Sequence, residues 1–183
     1  MLVKITSIFS KIRMQPSGIL IDFDGTLCNS KKILFGVFYE FCDLNKIDHS
    51  NIDISSFDGL TIQEIISTLF ESELELKKLQ KLEKKYNEMI DSYFHEAVIF
   101  EGSKAFIEKC SKLKIKLGIV TSNSKERVTK FLKKYDLYEC FNALITREEY
   151  LNSKPDPEPY NVALQKIMLP PEKCIAIEIL LLE

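Results

Sequence analysis

Two aspartates one residue apart, Asp22 and Asp24, close a short apolar run, residues 18–22 (GILID), and precede Gly25 and Thr26. Three more apolar runs end beside polar groups. Residues 115–120 lead into Thr121, Ser122 and Asn123. Residues 142–145 come shortly before Ser153, Lys154 and Pro155, and residues 174–177 lead into Glu178. A carboxylate can attack phosphorus and form an aspartyl-phosphate. It cannot approach a phosphate dianion unscreened, because like charges ~4 Å apart repel strongly in a low dielectric. A divalent cation on oxygen ligands removes that obstacle, and magnesium is the usual companion of phosphates. A lysine and a hydroxyl can stabilise the equatorial oxygens as charge shifts. A second carboxylate two residues on can protonate the leaving oxygen and later activate water. Gly25 permits the sharp turn that holds both aspartates near one point.

These groups share one place only if the apolar runs are neighbouring strands. Each run is four to six residues of mostly Ile, Val and Leu without alternation, as in strands buried on both faces of a parallel sheet. Helical patterns lie between them. Residues 103–113 place Phe106, Ile107, Cys110 and Leu113 on one stripe, and residues 124–137 do so with Val128, Phe131, Leu132 and Tyr135. Asn123 with Glu126 offers a capping box for the second helix, and Asp156 before Pro157 marks the start of a third. The alternation predicts an α/β fold whose ligands bind past the carboxyl ends of the strands.

Between the first two strands, about 75 residues carry only helical patterns where a simple crossover needs one helix. One stripe is Ile33, Leu34, Val37, Phe38 and Phe41; a second is Ile62, Ile65, Ile66 and Leu69. A long third spans residues 74–94, with Leu79, Leu82, Tyr86, Met89, Ile90 and Tyr93. Residues 28–97 are therefore expected to form an inserted helical subdomain. It has no arginine, and its 8 lysines face 13 acidic residues, so it is not an electropositive lid.

Composition narrows the classes. In 183 residues, 25 basic side chains meet 27 acidic ones, without the basic excess of a nucleic-acid binder. No apolar run reaches the ~20 residues that span a bilayer. The first eighteen residues are acid-free, but their apolar pieces are too short for a secretory signal and read as a leader packed on the domain. Five cysteines, an odd count without a CxxC pair, argue for buried thiols in a reducing, cytoplasmic setting rather than disulfides or zinc. His49 and His95 stand apart from the motifs and read as surface groups.

The ordered set DFDGTL (22–27), IVTSN (119–123), SKPDPEPY (153–160) and CIAIE (174–178) resembles the haloacid dehalogenase superfamily. It looks most like the phosphoglycolate phosphatase and β-phosphoglucomutase branch. The resemblance implies a Rossmann-like parallel sheet flanked by helices, with residues 1–27 and 98–183 as the core and residues 28–97 as a first-type helical cap. It implies Asp22 as nucleophile, Asp24 as general acid and base, Thr121 as a phosphoryl ligand and Lys154 as the neutralising cation. Magnesium would rest on Asp22, the Asp24 backbone carbonyl and Glu178. Gly25, Thr26, Ser122, Asn123 and, from the cap loop 57–61 (FDGLT), Gly59 are the candidates for substrate contact. The partner implied is a small phosphorylated metabolite, with no nucleic acid or membrane.

Each residue also has a plainer reading. The aspartates could be turn formers, Thr121 a strand-end residue, Ser122 and Asn123 helix caps, Lys154 a solvated lysine and Gly59 an ordinary loop glycine. The fourth motif departs from the family: where a second acidic residue is usual, Ile179 stands, and Glu183 ends the chain. That reads as a truncated or divergent end. It predicts weakened magnesium binding and weak or absent turnover. A phosphomutase, a non-catalytic phosphate-binding module and a fragment without independent function remain the alternatives to a phosphatase.

Overall fold

A computed structural model describes residues 16–70 and 74–178. The expectations for the leader and for Ile179 lie outside them. Four strands, β1 (Gly18–Ile21), β4 (Lys116–Val120), β5 (Ala143–Ile145) and β6 (Cys174–Ile177), form a parallel sheet in the order β5-β4-β1-β6. β1 is therefore internal, with β4 on one side and β6 on the other. Its side chains alternate between two cores. Ile19 and Ile21 enter the larger one with Leu117 and Ile119, while Leu20 enters the smaller with Val120, Ala143 and Ile145. Both faces of β1 and β4 are covered, which is why they read as unbroken apolar runs; β6, at the edge, is half-buried with Ala176 exposed.

Three helices serve this sheet: α4 (Ser103–Lys112), α5 (Lys125–Lys134) and α6 (Glu158–Ile167). α6 packs on β1, β4 and β5, burying Ala163 and Ile167. α5 buries Val128, Phe131 and Leu132, three of the four residues of its expected stripe. On α4 the stripe ends earlier than its pattern suggested. Ile107 and Cys110 are buried, but Leu113 lies past the helix and is 51% exposed.

The segment between β1 and β4 holds α1 (Lys31–Leu44), α2 (Ile62–Leu69) and α3 (Leu76–Tyr93). α1 and α2 each pack on α3, around Phe41, Ile66, Tyr86 and Ile90. The Phe41 and Tyr86 rings meet at 4.7 Å. Tyr93 is exposed and stands off the expected stripe.

The segment is not wholly helical. β2 (Cys28–Asn29) and β3 (Val98–Ile99) pair antiparallel where the chain leaves for the helices and returns from them. Two residues a strand are too short to show a period, so the sequence hid this ribbon. Cys28, Cys42 and Cys110 are buried, and all five cysteines are free thiols. Among the described residues no helix is long and apolar enough to cross a membrane.

Candidate active site

The sheet register brings the acidic groups together. Ile21 pairs with both Ile119 and Ile177, and the Asp22 N–H donates to the Ile177 carbonyl at 2.9 Å. Asp22 and Glu178 thus end adjacent strands at one level. Parallel strands lie ~4.8 Å apart, so two carboxylates placed there repel unless a cation separates them. Lys154 supplies it. Its Nζ donates to Asp22 Oδ1 at 2.7 Å and to Glu178 Oε1 at 3.1 Å. The side chain is 7% exposed and also lies over the Tyr160 ring, 5.5 Å from its centroid. The Tyr160 hydroxyl donates to Glu178 Oε2 at 2.8 Å.

Around Asp22 the chain turns sharply. Gly25 takes φ +78°, and the N–H groups of Thr26, Leu27 and Cys28 all reach the Phe23 carbonyl. The turn sends Phe23 into the core, against Phe94 and Phe131, while Asp22 and Asp24 line the cavity beyond the strand ends. Thr26 Oγ1 donates to Asp22 Oδ2 at 3.1 Å. Asp24 is held at both oxygens, by Ser30 Oγ at 2.6 Å and by Asn123 Nδ2 at 2.9 Å.

The electrostatics separate the two aspartates. Burial pushes the Asp22 carboxyl up to about 6, although Lys154 pulls it down. Burial also raises the Asp24 carboxyl above the usual range, against the hydrogen bonds from Ser30 and Asn123. Asp22 carries the ammonium partner of the pair, which suits an anionic nucleophile. Among the described residues the side-chain hydrogen-bond partners of Asp24, Ser30 and Asn123, are neutral, which suits a proton carrier. Burial weakens the Lys154 ammonium most, but Asp22, Tyr160 and Glu178 together outweigh it and raise its pKa overall.

One family model, "Haloacid dehalogenase-like hydrolase", matches residues 19–178. The chain belongs to the haloacid dehalogenase-like hydrolases. Among curated relatives, Pyrophosphatase PpaX of Bacillus cereus (strain Q1) is 27% identical over 166 residues, covering 90% of this chain and 74% of that protein. Among solved structures, β-phosphoglucomutase from Clostridium difficile superimposes with TM-score 0.79 at 19% identity, covering 89% of this chain and 76% of that one. CbbY from Rhodobacter sphaeroides in complex with phosphate gives 0.74 at 19%, over 88% and 76%. The resemblance to the haloacid dehalogenase superfamily holds, and the solved structures share its fold. The matched family is one of hydrolases.

In this haloacid dehalogenase-like hydrolase, Asp22, Asp24, Thr121, Ser122, Asn123, Gly59 and Glu178 line one cavity. Gly25, Thr26 and Lys154 are not among its lining residues; Gly25 and Thr26 shape the turn beneath it, and Lys154 reaches Asp22 and Glu178, which do line it. Asn123 does not cap α5 as expected. Ser124 is the cap, accepting from the Arg127 N–H, and Asn123 is left to hold Asp24. Thr121 is buried, and its Oγ1 accepts the Asn123 N–H at 3.1 Å. α6 starts one residue later than read: Pro157 is its cap, and Asp156 accepts the Glu158 N–H at 2.8 Å. Among the described residues no group of three or more His, Cys, Asp or Glu side chains is arranged to hold a metal ion.

Sequence reasoning missed Arg127. Its guanidinium is 5% exposed and donates to Asn123 Oδ1 at 2.6 Å and to Asp91 Oδ1 at 2.7 and 2.9 Å. It ties α3 to the residue that holds Asp24. Nothing local signals this, because its acidic partner Asp91 lies thirty-six positions away. Glu64 and Ser153 were missed as well. The Ser153 hydroxyl donates to Glu64 Oε1 of α2, beside Lys154. The same glutamate closes a capping box with Thr61.

Proposed function

We propose that this chain hydrolyses small phosphomonoesters with magnesium through an aspartyl-phosphate on Asp22. The observation that carries the reading is Lys154, which bridges Asp22 and Glu178, two carboxylates that line the same cavity as Asp24. An Asp22 oxygen attacks phosphorus as the bond to the leaving oxygen breaks, and the Asp24 carboxyl gives that oxygen its proton. Asp24 then takes a proton from water, the water oxygen attacks phosphorus, and Asp22 is restored as inorganic phosphate leaves. Thr121 and Lys154 bind the transferring oxygens. Ser122 and Asn123 flank them, and Gly59 borders the leaving group.

The donor set fits magnesium in a limited way. Magnesium is commonly held by one or two carboxylates, with waters and substrate oxygens completing six ligands. Asp22, the Asp24 backbone carbonyl and Glu178 are the oxygen donors that would hold it. The ion would screen the phosphate from Asp22. Glu178 already accepts from Lys154 and Tyr160, which supports weak rather than tight binding.

In this reading residues 28–97 are a cap that closes over a core made of residues 1–27 and 98–183. The β2–β3 ribbon at its base supports that division. The five free thiols support a cytoplasmic setting.

The test is hydrolysis of a generic aryl phosphate across a magnesium titration, with Asp22→Asn prepared alongside. Turnover that rises with magnesium and disappears in Asp22→Asn is expected. No turnover from folded protein at saturating magnesium overturns the phosphatase and leaves a phosphate-binding module.

A further inference from the structure

The cavity does not stop at the aspartates. It encloses about 330 Å³ and continues between the strand ends and the helical segment. Cavities of ~300 Å³ and more hold bodies far larger than a two-carbon acid. On the far side its wall is Phe35, Phe38, Phe57, Ile62, Ile65 and Ile90. The Phe38 and Phe57 rings meet at 5.5 Å, one from α1 and one from the turn before Gly59. This wall is aromatic and aliphatic, and it is continuous with the phosphoryl end.

The charged groups along the same cavity argue in the same direction. Lys31 is paired with Asp58 at 2.5 Å, and Arg127 with Asp91 at 2.7 Å. Arg147 donates to the Tyr150 carbonyl at 3.5 Å. Asp58, Glu83 and Glu148 also line the space. A second anionic group on the substrate would have to break one of these ion pairs or draw Arg147 from the Tyr150 carbonyl, and it would face these carboxylates. An apolar body meets no such cost, and each methylene taken out of water tightens binding about fourfold.

We propose that the cavity selects phosphomonoesters whose leaving group carries an apolar, ring-sized body, aromatic or branched aliphatic, and discriminates against those with a second anionic group. The proposal rests on the phosphoryl-transfer reading of the strand-end aspartates. Phe57 and Ile65 form the selecting wall, and Asp58 and Asp91 keep the nearby cations occupied.

Titration calorimetry on the full chain with magnesium tests it without requiring turnover. The probes are methyl-, butyl-, phenyl- and naphthylphosphonate, with inorganic phosphate, phosphonoacetate and pyrophosphate for comparison. Affinity is expected to rise at least tenfold from methyl- to phenylphosphonate, with phosphonoacetate and pyrophosphate no better than methylphosphonate. Phe57→Ser is expected to shrink the phenyl-to-methyl ratio severalfold, and Ile65→Ser provides the same comparison from α2. A flat series with inorganic phosphate still bound, or tighter binding of pyrophosphate or phosphonoacetate, overturns the selectivity and leaves the phosphoryl site standing. No binding of inorganic phosphate or of any phosphonate overturns the phosphoryl site itself, and the selectivity with it.

Discussion

Gly59 lies directly against Lys154: a methyl group built on Gly59 would stand 3.1 Å from the Lys154 Cβ. The loop from the helical segment thus props the lysine that separates Asp22 from Glu178. Gly59 also has φ +87°, which strains any residue with a side chain by about 1 kcal/mol. Gly59→Ala is expected to lower stability by about 1–2 kcal/mol in urea denaturation. It should weaken inorganic phosphate binding at least threefold by shifting Lys154. Unchanged phosphate affinity would show that the loop does not set the lysine's place.

Phe23 separates the two aspartates and anchors the turn that presents them. It is fully buried, stacked near Phe94 and edge-on to Phe131 at 5.1 Å. Phe23→Ala is expected to cost about 3–5 kcal/mol, read from the urea midpoint. A loss below 1 kcal/mol would mean that the turn is held by its backbone bonds alone.

Arg127→Lys keeps a charge but loses the planar fork that reaches Asp91 and Asn123 together. The expected loss is about 1–3 kcal/mol, since truncating a buried charge-assisted network leaves Asn123 unsupported while exposed Asp91 returns to water. For a chain of this size that lowers the thermal midpoint by roughly 3–10 °C. An unchanged midpoint would argue that the fork adds nothing a point charge cannot.

Glu64 gives the fold an acid-sensitive joint. Burial alone would raise its pKa, but hydrogen bonds from Ser153 and Thr61, with Arg147 nearby, outweigh it and hold the carboxyl below its ordinary 4.5. A carboxylate with a depressed folded pKa stabilises the protein fully above its ordinary value, and that stabilisation disappears as pH falls through the folded one. Stability curves of the wild type and Glu64→Ala should therefore lie furthest apart at neutral pH and converge below about 4.5. A constant gap down to pH 3 would remove Glu64 from the account.

The fold was legible because β1 and β4 are buried on both faces and, with β5 and the half-buried β6, leave continuous apolar runs. The meeting of Asp22, Asp24, Thr121 and Glu178 followed from strand ends in a parallel sheet, and Lys154 from the stiff loop beside Pro155. What stayed hidden was carried by contacts between distant segments. Arg127 finds Asp91 thirty-six positions away. Ser153 finds Glu64 across eighty-nine. Asn123 has the spacing of a helix cap, but tertiary structure gave that place to Ser124 and turned the amide toward Asp24.

The ribbon of Cys28–Asn29 on Val98–Ile99 has an evolutionary consequence. Because the departing and returning strands touch, the backbone of the stretch between them leaves and rejoins the sheet at one place, and its other ties are side-chain contacts such as Arg127 to Asp91 and Ser153 to Glu64. Substitutions on that stretch away from these ties can therefore change the cavity wall of Phe38, Phe57 and Ile65 while the strand-end aspartates are inherited unchanged.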